Sequence, residues 1–361
     1  MKRSVLCCLL CAAFAVPAAA QPAPKFGPEV TALVAQAAKE GKLELSWSGG
    51  EFGDNGKELP HWIDEFNRFY GLHLSYSFTP APSMTQQAAT LAQQQQSGAP
   101  AVTDDVILEP STLLTDIQAH AMAPHNWTAL AKEIGLDLPA EAVAPDNAAV
   151  AFATAIFGIS YNKSAVAANE LPQTLGDVLK PEWRGRIAST PYAAGFSFLA
   201  AFDPDWKPAR TTAFVTRLAQ QIGGLIRCGE PAPLLSGQFD MLVFECDIAT
   251  TLLNARRGMP IGYVVPKDAL VTYLWYMAVP KRSPDPAAGT LLALFMLTKE
   301  GQAVSWQADG NDLALLPGSR SAALLPGKPG AIVTTQDFAA HPEALEYQAE
   351  HIKILTAGRR R

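Results

Sequence analysis

Polar side chains follow an apolar, strand-like segment near the start of the chain, which is where a small-molecule site would need them. The run Ser46-Trp47-Ser48-Gly49-Gly50 comes directly after residues 43–45. Serine hydroxyls donate and accept hydrogen bonds, glycine lets the backbone approach a ligand, and Trp47 could stack on one. We therefore expect Ser46, Trp47, Ser48 and Gly49 to contact a small polar ligand. The alternative is an ordinary strand-to-helix turn over a core tryptophan.

Carboxylates follow two further strand-like segments. Glu109 and then Ser111 come after residues 105–108, and Asp247 comes after residues 242–244. A carboxylate in such a loop pairs with a ligand amine or a hard metal ion. Capping of the following helix is the alternative for Glu109 and Ser111.

Tyr273 lies in an alternating, strand-like run at residues 270–279, on the same face as Trp275. We expect Tyr273 to meet a ligand, with core packing as the alternative for this run.

Catalytic motifs are missing from the sequence. There is no Gly-x-Ser-x-Gly elbow, no His-Glu-x-x-His helix and no cysteine–histidine pair in a catalytic context. The six histidines are scattered without the spacing of a metal site, and His120 with His125 is the only pair that could act together. We expect no enzyme activity, no bound metal and no cofactor.

Strand-like and helix-like segments alternate along the chain. Residues 29–40, 59–70 and 84–96 have helical periodicity, and residues 43–47, 72–78 and 105–108 read as strands between them. Later on, the sequence predicts a long β-capable stretch at 148–160, a strand at 270–279 and a helix at 287–307, with 287–297 in a protein core rather than a membrane. This order predicts an α/β fold with parallel strands.

The first 20 residues are expected to be a cleavable signal peptide. Lys2 and Arg3 precede an apolar run at residues 5–16, which is shorter than the roughly 20 residues a membrane helix needs. Pro17 and the small residues 18–20 then resemble a cleavage site. Cleavage after residue 20 predicts export, and an uncleaved helix is the alternative.

Size and charge restrict the partners of the mature chain. Roughly 340 residues remain after cleavage, which is more than one hydrophobic core usually serves, so two domains are expected. Loss of the two cationic residues lowers the formal net charge from −6 to −8. Because the only basic cluster is at residues 359–361, nucleic acid is not an expected partner.

Two cysteines, Cys228 and Cys246, remain after cleavage. An even number in an oxidising compartment makes a disulfide plausible, and two buried free thiols are the alternative.

Four stretches of the chain match a family pattern. They are Leu171-Pro172-Gln173-Thr174-Leu175-Gly176-Asp177-Val178-Leu179 with Pro181-Glu182-Trp183-Arg184-Gly185-Arg186-Ile187, then Ser236-Gly237-Gln238-Phe239-Asp240, then Pro280 to Gln302 with Leu294-Phe295-Met296-Leu297-Thr298-Lys299-Glu300-Gly301-Gln302, and the tail 333–355. In this order they resemble the bacterial extracellular solute-binding proteins of ABC importers, in the branch that binds ferric iron, thiamine, polyamines and aminoethylphosphonate. The resemblance covers nearly the whole mature chain.

This resemblance implies a type II periplasmic-binding fold, with two α/β lobes joined by crossing strands and a ligand cleft that closes between them. We expect lobe 1 to comprise residues 27–150 and 270–330, and lobe 2 to comprise residues 151–269 and 331–361.

Residues 189–195 are similar to a family segment that lines the cleft before a helix, which adds Thr190, Ala194 and Gly195 to the expected site.

The resemblance also implies a periplasmic monomer, without stable membrane insertion, that delivers a small-molecule ligand to an inner-membrane ABC permease. A binding protein that reports to a membrane sensor is the alternative. The ferric-iron branch carries adjacent tyrosines where this chain has Glu245-Cys246-Asp247, so tyrosinate-type iron binding is not expected. We expect a small polar, anionic ligand held by helix N-termini and hydroxyls. The alternatives are a polyamine or other cationic amine held by Glu109, Glu245 or Asp247, and a metal chelate.

Overall fold

The computed structural model describes residues 25–48, 52, 56–325 and 332–357. The predicted signal peptide, its cleavage site and Gly49 lie outside these described residues.

Helices and strands alternate along the described chain. The α-helices are α1 (Pro28–Glu40), α2 (Leu59–Tyr70), α3 (Met84–Ser97), α4 (Pro110–Gln118), α5 (Trp127–Glu133), α6 (Ala194–Phe202), α7 (Pro208–Gln221), α8 (Ala232–Leu235), α9 (Ala249–Arg256), α10 (Pro286–Phe295), α11 (Lys299–Ala308), α12 (Arg320–Leu324), α13 (Thr335–Ala340) and α14 (Glu343–Ala357). The strands are β1 (Lys42–Leu45), β2 (Ser75–Phe78), β3 (Val106–Leu108), β4 (Val150–Ile156), β5 (Gly158–Asn162), β6 (Ile187–Ser189), β7 (Gly224–Leu225), β8 (Met241–Glu245), β9 (Ile261–Val264), β10 (Thr272–Ala278) and β11 (Ile332–Val333).

The first lobe begins with the predicted strand–helix–strand unit. Strands β1 and β2 pair in parallel from Lys42↔Ser75 to Leu45↔Phe78, and a bridge from Leu45 to Asp105 brings the chain before β3 alongside. Helix α1 packs on α10, which covers this side of the lobe. Trp62, Ile63 and Phe66 of α2 are buried, which agrees with the helical periodicity of residues 59–70.

Strand β10 is the central strand of a second sheet. It pairs antiparallel with β4 along one edge, from Thr272↔Ile156 onward. The other edge is shared, because β3 pairs antiparallel with residues 276–278 and β11 pairs in parallel with residues 272–273.

The second lobe contains a five-stranded sheet in the order β7-β6-β8-β5-β9. Strands β7, β6 and β8 are parallel, whereas β5 pairs antiparallel with both β8 and β9. Helices α6, α7 and α14 pack against one another in this lobe.

Two chain segments cross between the lobes. Strand β4, in the β10 sheet, continues through Phe157 into β5 of the second sheet, and β9 returns to β10 through residues 265–271. The expected boundary between residues 150 and 151 therefore falls at the start of β4. After residue 331, β11 joins β10, α13 packs on α4 of the first lobe, and α14 packs on α6 and α7 of the second.

Two predicted segments are each divided in the structure, and for residues 287–307 the prediction of a single helix was wrong. The stretch 148–160 forms β4 and β5, which belong to different sheets on either side of Phe157. The predicted helix 287–307 is broken between α10 and α11. Thr298 begins the second helix by accepting the Gly301 N–H at 3.0 Å, and side-chain capping of this kind starts a new helix.

None of the described helices is long and apolar enough to cross a membrane. Residues 287–295 of α10 are all buried, which confirms the prediction of a core segment there.

Close packing of α10 on the first lobe generates a stability prediction. A Cβ added to Gly289 would overlap the backbone carbonyl of Asp104, whereas a Cβ at the exposed Gly176 would meet only Thr174 Oγ1 at 3.8 Å. Because the backbone at Asp104 cannot move aside without disturbing its own packing, Gly289→Ala should lower the free energy of unfolding by about 1–3 kcal/mol. Urea unfolding measures this loss, and Gly176→Ala is the matched control. Equal stability of the two variants would contradict the packing described.

Candidate functional site

A cavity of about 690 Å³ lies between the two lobes. Its walls come from loops and helix N-termini of both lobes, and strand β10 passes along it. A volume of this size is typical of sites for small organic ligands.

The first turn of helix α3 forms part of the lobe 1 wall. Ser83, Met84 and Thr85 line the cavity, and Ser83 Oγ caps the helix by accepting the Gln86 N–H at 3.2 Å. The first amide groups of a helix lack partners within it, and the N-terminal end carries a partial positive charge. This part of the wall therefore favours a negatively charged group.

Glu109 lines the same wall, but it already serves helix α4. Its carboxylate accepts the Ser111 and Thr112 N–H groups at 2.8 and 2.7 Å, and the Ser111 hydroxyl at 2.6 Å. These contacts are those of the helix-capping alternative. The N–H donors at the start of α4 offset the negative charge of Glu109.

The lobe 2 wall includes the loop of residues 227–231. A disulfide joins Cys228 to Cys246, which follows β8, and the Gly229 N–H donates to Glu245 Oε1 at 3.2 Å. Glu245 itself is 2% exposed, lies outside the cavity lining and accepts the Thr251 hydroxyl at 3.0 Å. Glu245 thus holds the loop in place instead of facing a ligand.

Asp247 lines the cavity at the junction of the lobes. Its Oδ1 accepts the N–H groups of Ile156 and Ala249 at 3.3 and 3.0 Å. Its Oδ2 accepts Trp275 Nε1 at 3.4 Å and Asn311 Nδ2 at 3.1 Å. Burial raises the pKa of Asp247 to about 6 despite these donors, because the charged form is poorly solvated.

Aromatic rings form the floor of the cavity. Trp275 and Tyr273 of β10 have ring centroids 5.2 Å apart, and Phe52 packs on Trp275 at 5.2 Å. Phe198 of α6 packs on Tyr273 at 5.4 Å and on Phe338 of α13 at 5.2 Å. We call these five side chains the aromatic floor. All five line the cavity, so one continuous row of rings runs from lobe 1 to lobe 2.

Arg227 is the only lysine or arginine among the described residues that line the cavity. It is exposed, and it immediately precedes the disulfide-bonded Cys228. Four carboxylate side chains also line the cavity, and these are Glu109, Glu230, Asp247 and Asp309.

The structure brings together five of the sequence-predicted residues. Ser48, Glu109, Ser111, Asp247 and Tyr273 all line the cavity.

The other predicted residues lie elsewhere or are only partly described. Ser46, Trp47 and Thr190 are buried, and Trp47 packs on Trp62 and Phe78 as a core tryptophan. A Cβ at Gly195 would meet the rings of Phe244 and Phe157, so this glycine serves packing beneath helix α6. Ala194 begins α6, but its side chain is outside the described part of the chain, as is all of Gly49.

Several parts of the wall were not predicted, among them Arg227 and the start of α3, whereas Tyr192 was predicted only as part of the segment 189–195. Ser83 before a helix-like run was a recognisable capping signal. For Arg227, the only signal in the sequence is its neighbour Cys228, because a disulfide from Cys228 to Cys246 brings residue 227 close to the loop after β8. Tyr192 lies inside the segment 189–195 that was expected to line the cleft, although Thr190 of that segment is buried.

Among the described residues, no group of three or more histidine, cysteine, aspartate or glutamate side chains could hold a metal ion. His125 packs on Trp127 at 5.1 Å, and its Nε2 lies 3.3 Å from the Thr290 hydroxyl. Burial lowers the pKa of His125, because the charged ring is poorly solvated there.

The disulfide generates a stability prediction. Cys228 and Cys246 are 18 residues apart, and closing a loop of that length stabilises the folded chain by about 3 kcal/mol in the chain-entropy model. The double variant Cys228→Ser with Cys246→Ser should lose about that amount of unfolding free energy in urea. Reducing agent should destabilise the parent protein but leave the variant unchanged. If reducing agent does not change the unfolding free energy of the unsubstituted protein, the disulfide is refuted.

Solved structures with the same fold are recognisable at low sequence identity. Iron-bound HitA of Pseudomonas aeruginosa is 15% identical, with a TM-score of 0.63 over 86% of this chain and 99% of that one. The ferric binding protein of Campylobacter jejuni is 16% identical, with a TM-score of 0.64 over 88% and 99% of the two chains. AfuA of Actinobacillus pleuropneumoniae, solved with fructose-6-phosphate, is 14% identical, with a TM-score of 0.61 over 88% and 97%. These similarities confirm the two-lobed periplasmic-binding fold.

No curated protein matches this sequence. Residues 61–344 of the 361 match the family model described as bacterial extracellular solute-binding protein, which covers more than half of the chain. The order of motifs, the two-lobed fold and this match agree. The chain therefore belongs to the bacterial extracellular solute-binding protein family.

Proposed function

We propose that this chain is the periplasmic binding component of an ABC importer, which captures a small polar anion and delivers it, as a monomer, to a membrane permease. The observation that carries the anionic ligand is the placement of Arg227, the only lysine or arginine of the described cavity lining. The first turn of α3 also lines this cavity, and the N-terminal end of a helix carries a partial positive charge. The predicted signal peptide at residues 1–20 supports the periplasmic location.

Two of the four carboxylates that line the cavity are held by hydrogen bonds from the protein itself, so they are oriented by the wall. Glu109 accepts hydrogen bonds at the start of α4, and Asp247 accepts four from the protein. We propose Ser48 and Tyr273 as direct ligand contacts, with Glu109, Ser111 and Asp247 holding the shape of the wall.

Capture takes place by closure of the lobes in this proposal. Lobe 1 comprises residues 27–150 and 270–330, and lobe 2 comprises residues 151–269 and 331–361. Strands β4 and β10 lie side by side at the crossing, so bending just beyond their ends rotates one lobe toward the other. Closure would bring Arg227 of lobe 2 toward the start of α3 in lobe 1.

A cationic amine is the second candidate ligand. Four carboxylates line the cavity against one arginine, and Glu230 is exposed beside Arg227 in the same loop. An amine would therefore find negative charge on the lobe 2 wall.

Substitution of Arg227 tests the anionic ligand. A charge-assisted hydrogen bond contributes about 1.5–3 kcal/mol, so Arg227→Ala should weaken anion binding by roughly tenfold to a hundredfold. Calorimetry with phosphonates, carboxylates and polyamines measures this loss. Arg217→Ala, an exposed change of equal charge on α7 away from the cavity, is the control. Tight polyamine binding without anion binding would overturn the proposal in favour of the amine.

The titration of Asp247 predicts the pH dependence of binding. Its pKa of about 6 means that the cavity gains a negative charge as pH rises from 5 to 7. Affinity for an anion should therefore fall several-fold over this range, whereas affinity for an amine should rise. Calorimetry at pH 5, 6 and 7 distinguishes the two. In Asp247→Asn, affinity should change much less between pH 5 and pH 7. An unchanged pH dependence of affinity in this variant would assign the titration to another group.

A further inference from the structure

Tyr192 stands out among the exposed side chains. Val102, Tyr192 and Leu345 are the exposed large hydrophobic residues of the described chain, and only Tyr192 lines the cavity. Tyr192 is 37% exposed, while its backbone carbonyl accepts a hydrogen bond from Gln348 Nε2 at 3.2 Å. The backbone is thus fixed to helix α14 while the ring remains open to solvent at the lobe 2 rim.

The aromatic floor lies in the same cavity as this exposed ring. Its members Tyr273 and Trp275 are each 5% exposed, and Phe198 is 4% exposed, so the rings cover one another but still border the cavity. A hydrated inorganic ion gains nothing from such a surface, because apolar surface is stabilised only when water is removed from it. A ligand with an unsaturated ring would cover both the floor and the exposed Tyr192, and aromatic contacts add to that burial.

We propose that the solute is an organic molecule with a planar ring, which lies between Tyr192 and the aromatic floor while its charged group faces Arg227 and the start of α3. This inference rests on the proposed function and specifies its ligand class. The cavity of about 690 Å³ has room for such a molecule, which is far larger than an inorganic phosphate or a bare metal ion.

Four probes separate the contribution of the ring from that of the charge. Phenylphosphonate and methylphosphonate are anions with and without a ring, and benzylamine and methylamine are the corresponding cations. Binding of each to the full mature chain is measured by calorimetry at pH 7. We expect phenylphosphonate to bind about tenfold more tightly than methylphosphonate, as a favourable aromatic contact would give.

Variants at the rim test whether Tyr192 provides the preference. Because Tyr192 is exposed, Tyr192→Ala should fold normally, and it should reduce the ring preference to about threefold or less. Tyr192→Phe keeps the ring and should keep the preference. Leu345→Ala is the matched control, since it removes an exposed apolar side chain outside the cavity lining.

Each result of the probe set supports or overturns the inference. Equal binding of the two phosphonates overturns it while leaving the anionic function intact. Benzylamine bound far more tightly than methylamine, with neither phosphonate bound, supports the ring site and overturns the anionic function. A ring preference that survives in Tyr192→Ala, or no binding of any probe at 10 mM, overturns the ring site.

Discussion

Hydrogen-bond donors from separate parts of the chain converge on the carboxylate of Asp247. Ile156 ends β4, Trp275 lies in β10, and Asn311 follows α11, while Asp247 itself follows β8 of the second lobe. One side chain therefore ties a lobe 2 loop to both crossing strands. A buried carboxylate that lost these donors would leave several polar groups unpaired, which is costly in a poorly solvated site. The geometry of the junction and of the cavity wall thus depends on the same few bonds.

Strand β10 has two roles that explain its composition. Its backbone pairs with β4 on one edge and with β3 and β11 on the other, so every residue from 272 to 278 is buried. Alternation places Tyr273 and Trp275 on the cavity face, whereas Tyr276 faces the opposite way and is 0% exposed. The strand is thereby a structural core element and the floor of the cleft at once.

Much of the fold could be predicted from the sequence, because periodicity and glycine stops mark its elements directly. Residues 29–40 were predicted as helical, and α1 ends at Gly41 in the left-handed conformation that such a stop requires. Loops after strands pointed to Glu109 and Asp247, and both side chains line the cavity, since strand ends define the cleft edge. Trp47 could not be assigned, because a tryptophan after a strand has the same pattern whether it faces the core or a ligand. Arg227 lies in an irregular loop without periodicity, and only the tertiary pairing of its neighbour Cys228 places it at the cavity.

The disulfide between Cys228 and Cys246 connects two segments of the cavity wall. It fastens the loop that carries Arg227 to the chain segment that carries Asp247, so two opposite charges of the cleft wall are cross-linked. Disulfides form in oxidising compartments and are rare where thiols are kept reduced. In the proposed periplasmic location, this wall would therefore be tethered only after the chain has reached an oxidising compartment.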